Sequence, residues 1–144
     1  MVFERYTEPA LRVIMLAQEE SRRFGWNFVG TEQILLGVLR ERNGLGAKAL
    51  EKLGVDLANT REHAERITGR GPGVLGIEIP FTPRAKRVIE LSLKEAGPSF
   101  HDGVRTDHIL LALVSQDDGV AVEILRRLNI DLSEIRSEIE KLRE

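Results

Sequence analysis

Gly30-Thr31-Glu32-Gln33-Ile34-Leu35-Leu36-Gly37 decides the fold, because the stretch returns as Arg105-Thr106-Asp107-His108-Ile109-Leu110-Leu111-Ala112. The offset is about 75 residues and holds without a gap on both sides of the motif. Upstream, Thr7, Ala10, Val13, Ile14 and Leu16 meet Thr82, Ala85, Val88, Ile89 and Leu91; downstream, Gly44, Leu50, Leu53, Asp56 and Leu57 meet Gly119, Leu125, Leu128, Asp131 and Leu132. Setting Tyr6 to Gly69 on Phe81 to Glu144 gives roughly 18 identities in roughly 64 pairs, gathered at apolar and capping positions. Agreement there, rather than at surface positions, marks two copies of one helical unit.

Working outward, Thr7 is an N-cap with Glu8 and Pro9 in the first turn, and Ala10, Val13, Ile14, Leu16 and Ala17 recur at helical spacing until Phe24-Gly25. Thr31 is read as the cap of a second helix whose apolar arc, Ile34, Leu35, Val38 and Leu39, is wide enough to make it the central, buried one. Gly46 to Leu53 carries a short third helix ended by Gly54, and Asp56 caps a fourth through Leu57, Ala64 and Ile67. In the second unit Thr82-Pro83 starts a helix that Gly97-Pro98-Ser99 cuts short. Thr106 caps the next, Gly119 precedes another, and Asp131 with Glu134 opens the last in a capping-box pattern. The expectation is all-α: eight helices in two pseudo-twofold four-helix repeats, repeat one over 1–68 and repeat two over 81–144. A Gly/Pro-rich linker over 69–80 joins them within a single domain, with Ile77 and Ile79 extended against one repeat.

Composition removes several function classes. A chain of 144 residues with 42% hydrophobic and 31% charged content suits one domain with a buried core. A net charge of -2 gives no drive toward nucleic acid or an anionic membrane. The absence of cysteine excludes disulfides and thiolate metal sites. No apolar run reaches the roughly 20 residues of a membrane span, and the charged opening Phe3-Glu4-Arg5 is not that of a signal peptide. His63, His101 and His108 are too scattered for metal-ligand spacing, no hydrolase signature is present, and no Gly-x-x-x-x-Gly-Lys-Ser/Thr phosphate loop occurs. No enzyme, cofactor or metal site is expected in this chain.

Phe3-Glu4-Arg5-Tyr6-Thr7, Leu16-Ala17-Gln18-Glu19-Glu20, Val29 to Gly37, Ile67-Thr68-Gly69-Arg70-Gly71 and Ile79-Pro80-Phe81-Thr82-Pro83-Arg84-Ala85-Lys86-Arg87-Val88-Ile89-Glu90-Leu91-Ser92 together resemble the N-terminal domain of Clp-type AAA+ unfoldases. The ClpC branch is the nearest in pattern, and the resemblance covers the whole chain. Two places depart from it: Arg105-Thr106-Asp107-His108 stands where Gly-Thr-Glu-His is usual, and Gly97-Pro98-Ser99-Phe100 replaces the usual helix end. The resemblance implies a non-enzymatic domain on top of an ATP-driven ring that receives protein substrates and adaptors and passes them to a Clp protease, with ATP bound elsewhere in the full-length protein. It places the chain in a bacterial cytoplasm or a plastid stroma. The alternative is a free-standing protein of this fold that docks on the protease core and regulates it. The opening methionine and the full eighth helix keep that alternative open.

Glu32 and Asp107 stand at equivalent places just after Thr31 and Thr106. An acidic residue in the first turn stabilises the helix dipole by about 0.3–1 kcal/mol, which is one sufficient reason for both. The resemblance implies a second role, recognition of phosphorylated arginine, with the carboxylate accepting two parallel N–H bonds from the guanidinium. Phosphate donors are expected at the helix starts near Thr7 and Thr82. Arg84 and Lys86 add charge near Thr82, whereas Glu8, Pro9 and Leu11 stand near Thr7. Two unequal sites follow, the second with better phosphate donors (Thr82, Lys86) but the shorter carboxylate of Asp107. Phe3, Tyr6 and Phe81 precede the first helix of each unit; such aromatics are commonly staples. The resemblance implies instead an apolar protein or peptide groove bordered by Phe3, Tyr6, Phe81, Arg84 and Lys86.

Overall fold

The computed structural model describes residues 3–73, 79–98 and 102–144, and these form an all-α fold of eight helices. They are α1 (Glu8–Arg23), α2 (Thr31–Glu41), α3 (Leu45–Lys52), α4 (Leu57–Thr68), α5 (Pro83–Ala96), α6 (Thr106–Ser115), α7 (Val120–Arg127) and α8 (Leu132–Arg143). Thr7, Asp56, Thr82 and Asp131 are caps, each side-chain oxygen accepting from a backbone N–H of the first turn. For Asp131 that donor is Ser133, and Glu134 adds only a backbone N–H to the Asp131 carbonyl.

Thr31 and Thr106 are corrections to the sequence reading. Gly30 and Arg105 occupy the N-cap positions and the threonines are the first helical residues. The Gly30 N–H is held by Gln33 Oε1 at 2.6 Å, and the Arg105 N–H by His108 Nδ1 at 2.9 Å. This frees both threonine hydroxyls to reach across the pseudo-twofold axis. Thr31 Oγ1 accepts from the Ala121 N–H at 3.1 Å, and Thr106 Oγ1 from the Gly46 N–H at 3.1 Å. Each central helix therefore ties down the start of the other repeat's third helix.

The same exchange runs through the whole fold. Val29 N–H donates to Pro80 O at 2.8 Å and Thr82 N–H to Val29 O at 2.9 Å; Val104 N–H donates to Arg5 O at 2.8 Å and Thr7 N–H to Val104 O at 3.0 Å. The lead-in to each repeat is thus bridged to the segment before the other repeat's central helix, Tyr6 with Val104 and Phe81 with Val29. Besides α1 on α2 and α5 on α6, α3 packs against α6 and α8 while α7 packs against α2 and α4. The repeats interlock instead of standing side by side, and Ile34, Leu35, Leu36, Ile109, Leu110 and Leu111 bury fully in a shared core. Burial of these side chains, worth about 1.5–3 kcal/mol each, makes the two units one cooperative body.

Of the linker, Gly69 to Gly73 and Ile79–Pro80 are described. Gly71 N–H bonds Phe24 O and Gly73 N–H bonds Gly25 O, both at 2.8 Å, and Ile79 is buried. Ile77, Ser99, Phe100 and His101, named above, lie outside the described residues.

Candidate functional site

Because the repeats interlock, helix starts from both converge on two clefts related by the pseudo-twofold axis. The larger, of about 590 Å³, brings together Gly30, Thr31 and Glu32 at the start of α2, Thr82, Pro83 and Arg84 at the start of α5, and Gly119 and Val120 at the start of α7 with Glu123 of its first turn, Glu123 being paired with Arg127; Phe28 and Thr68 complete its walls. The smaller, of about 360 Å³, joins Arg105, Thr106 and Asp107 of α6 with Thr7 and Pro9 of α1 and Asn43, Gly44 and Leu45 before and in α3. The sequence pairing is thereby corrected. Thr82 faces Glu32 and Thr7 faces Asp107, each carboxylate meeting the helix start of the other repeat.

The two carboxylates live in opposite electrostatic settings. Glu32 is 3% exposed, and among the described residues no arginine, lysine or histidine forms an ion pair with it. Burial raises its pKa above the usual carboxylate value, and the backbone N–H groups of Glu32 and Gln33 offset this only in part. Its side chain folds back over Gly30, where a Cβ would collide with Glu32 Oε1. Glycine at position 30 thus permits this folded-back position of the Glu32 side chain.

Asp107 is fully buried but paired with two arginines. Arg105 Nε donates to Oδ1 at 3.1 Å and its Nη2 to Oδ2 at 2.9 Å; Arg143 Nε and Nη2 both donate to Oδ2, at 3.0 and 2.8 Å. Burial acts to raise the Asp107 pKa, but the Arg105 and Arg143 hydrogen bonds outweigh it and hold the carboxyl below its usual range. Next to it, burial depresses the His108 pKa, in keeping with a neutral ring whose Nδ1 accepts from the Arg105 N–H.

At the rim of the Glu32 cleft, Pro83 has no N–H, the Ala85 N–H is taken by Thr82 Oγ1 and the Lys86 N–H by Thr82 O. The Arg84 guanidinium also stands at that end, already paired with the exposed Asp118. Lys86 is corrected away from this site. Two residues beyond Arg84 and about 200° round the helix, it lines a separate hollow of about 260 Å³ with Phe3, Phe81, Ile89 and Glu90. In that hollow the Phe3 and Phe81 rings lie 6.4 Å apart. Tyr6 does not line it: it packs edge-on beneath Phe3 at 5.0 Å and is buried, with its hydroxyl 2.5 Å from Ser92 Oγ and its pKa pushed up to about 12 by burial. Arg84, expected in the groove, belongs to the cleft.

Sequence reasoning missed Gly119 and Val120, and missed Arg105 and Arg143 as partners of Asp107. The reciprocal register held the signal, since α7 reaches α2 only if the repeats exchange their third helices. Among the described residues no group of three or more His, Asp or Glu side chains is arranged to hold a metal ion. No described helix is long and apolar enough to cross a membrane.

The arrangement can be set beside known proteins. The sequence pattern of the Clp repeat (R) N-terminal domain matches residues 5–117 and again 92–144. The chain is 53% identical over 141 residues to an ATP-dependent Clp protease ATP-binding subunit ClpA homolog of Guillardia theta, covering 98% of this chain and 17% of that protein. It is also 53% identical over 138 residues to the chloroplastic chaperone protein ClpC1 of Arabidopsis thaliana, covering 96% of this chain and 15% of that protein. It thus spans about a sixth of the length of these relatives. Among solved structures, the N-terminal domain of the chaperone ClpD from Arabidopsis thaliana superposes with a TM-score of 0.80 at 27% identity, covering 100% of this chain and 98% of that one. The Hsp104 N-terminal domain from Candida albicans shares the fold, with a TM-score of 0.75 at 19% identity over 97% of this chain and 92% of that one. With the internal repeat, the interlocked helices and these matches in agreement, the chain belongs to the Clp repeat N-terminal domain family, as found in ClpA/ClpC-type chaperones.

Proposed function

We propose that the chain is the substrate- and adaptor-docking domain of a ClpC-type unfoldase feeding a Clp protease, and that its Glu32 cleft takes the phosphorylated guanidinium of phosphoarginine-marked proteins. ATP would be bound and hydrolysed by AAA+ modules outside this chain, in a bacterial cytoplasm or a plastid stroma. The observation that carries the reading is a buried carboxylate with no cationic partner among the described residues, set inside a cleft ringed by three helix starts. Such a site is mismatched to a simple cation, because the α2, α5 and α7 starts favour negative charge at the rim, where Arg84 and Glu123 are each already ion-paired, with Asp118 and Arg127. It is equally mismatched to a simple anion, because Glu32 repels one. A group carrying a guanidinium with a phosphoryl on it satisfies both, cation inward to Glu32 and anion outward to the helix starts.

The hollow between Phe3 and Phe81, with Lys86 on its edge, is the proposed adaptor or peptide groove, since exposed aromatic surface beside charge is typical of protein contacts. The test is a titration of the domain with a phosphoarginine peptide and its unmodified arginine counterpart, read by backbone amide shifts. Shifts at Glu32, Thr82, Arg84 and Val120 with the phosphorylated peptide alone support the reading. Equal shifts with both peptides, or none there, refute it and leave adaptor docking as the function.

A further inference from the structure

Among the positions at which the two clefts differ, three bear directly on the carboxylate. Gly30 is matched by Arg105, Glu32 by Asp107, and Thr68, a wall of the larger cleft, by Arg143 at the same offset of about 75 residues. Position 105 carries a long cationic side chain where Gly30 carries none, and the carboxylate opposite Thr7 is one methylene shorter. Arg143, at the last turn of α8, then reaches Asp107 from where Thr68 only lines a wall. The cleft left on that side is about 360 Å³ against about 590 Å³.

We propose that the Asp107 cleft is closed to guanidinium ligands by the chain's own arginines, Arg143 and Arg105 standing where a ligand would bind, so that the domain offers one open site instead of two. This rests on the reading of Glu32 as a guanidinium acceptor. A carboxylate has about four lone-pair positions, two on each oxygen; Arg105 and Arg143 place three N–H contacts on Oδ2 and one on Oδ1, so Oδ2 is crowded and both oxygens are engaged. An incoming guanidinium binding both carboxylate oxygens would have to displace at least one charge-assisted hydrogen bond at Oδ2. Displacing one such bond weakens binding about 10- to 100-fold relative to the Glu32 cleft. The Arg105 guanidinium is half-exposed while the Asp107 side chain is 1% exposed, so the arginines cap the carboxylate from the solvent side.

The experiment titrates the full chain with free phosphoarginine, following binding stoichiometry and amide shifts, in the wild type and in Arg105→Gly/Arg143→Thr, which copies the residues of the open cleft. The wild type is expected to bind one equivalent, with shifts at Glu32, Thr82, Arg84 and Val120. The double variant is expected to bind a second, with new shifts at Thr7, Leu45, Thr106 and Asp107. Two equivalents in the wild type, or a folded double variant that still binds one at the Glu32 cleft, overturns the proposal. A double variant that binds only at the Asp107 cleft supports the closure while refuting Glu32 as acceptor, and silence in both proteins refutes both. Should the double variant not fold, the wild type decides. The Nε–Hε signals of Arg105 and Arg143 must stay in place at saturating phosphoarginine, and their displacement overturns the closure.

Discussion

Replacing Glu32 with glutamine separates what this residue does for the ligand from what it costs the fold. In the free protein the carboxylate is 3% exposed, its pKa is raised by burial, and it has no cationic partner among the described residues. Glutamine has nearly the same shape, keeps an oxygen to accept from the backbone N–H groups, and removes the buried charge. The expected gain in stability is about 0.5–2 kcal/mol at neutral pH, the range typical of a single stabilising substitution. The sign follows from linkage. A carboxyl whose folded pKa lies above its unfolded value near 4.5 contributes fully at lower pH and loses that contribution as pH rises through the folded value. The wild type should therefore match the variant in acid and fall behind it as pH rises, with the gap constant once Glu32 is ionised. In the same variant phosphoarginine should bind about 10- to 100-fold more weakly, the loss of one charge-assisted interaction worth about 1.5–3 kcal/mol. Denaturant midpoints across pH and calorimetric titration measure the two halves. A variant less stable than the wild type at neutral pH, or a stability gap indifferent to pH, would refute the account of Glu32 as a carboxylate kept unpaired for a ligand.

Three further predictions concern the frame around the cleft. Thr31→Val leaves the buried Ala121 N–H without its acceptor and should cost about 1–3 kcal/mol, with faster hydrogen exchange at Ala121; Thr106→Val should do the same to Gly46, and unchanged exchange at either amide would contradict the cross-repeat tie. Gly37→Ala should cost about 1–3 kcal/mol by denaturation, because its Cβ would collide with Val13 O where α1 crosses α2, and a neutral result would mean the helices part more easily than their packing indicates. His108, whose pKa is held below its ordinary 6.5 by burial, should lower stability as pH falls beneath that value, since the unfolded chain takes the proton first; His108→Gln, copying Gln33, should flatten that part of the pH profile.

The repeat, the eight helices and four of the caps were legible in the sequence because each rests on local chemistry: apolar spacing, Thr or Asp before a helix, proline in a first turn. Thr31 and Thr106 misled for a physical reason. A threonine before an apolar helix reads as a cap, yet Gln33 and His108 already hold the N–H groups of Gly30 and Arg105, so the hydroxyls serve the other repeat. No local pattern carries that information, because partner choice across about 75 residues is a property of the packed core. The same non-local step decided the site. Sequence position puts Glu32 with Thr7, whereas the interlocked core puts it with Thr82, and the preference between the clefts changes with it. Charge near Thr82 favours the Asp107 site on sequence position alone; in the fold Arg84 stands at the rim of the Glu32 cleft, and Arg105 and Arg143 turn back onto Asp107. The duplicated motif therefore marks two places where a carboxylate meets a helix start, while its first residue, Gly30 or Arg105, and the residue at the repeat's end, Thr68 or Arg143, determine which carboxylate is left without a cationic partner among the described residues. If that is so, exchanging those flanking residues between repeats should move the site, and exchanging Glu32 and Asp107 alone should not.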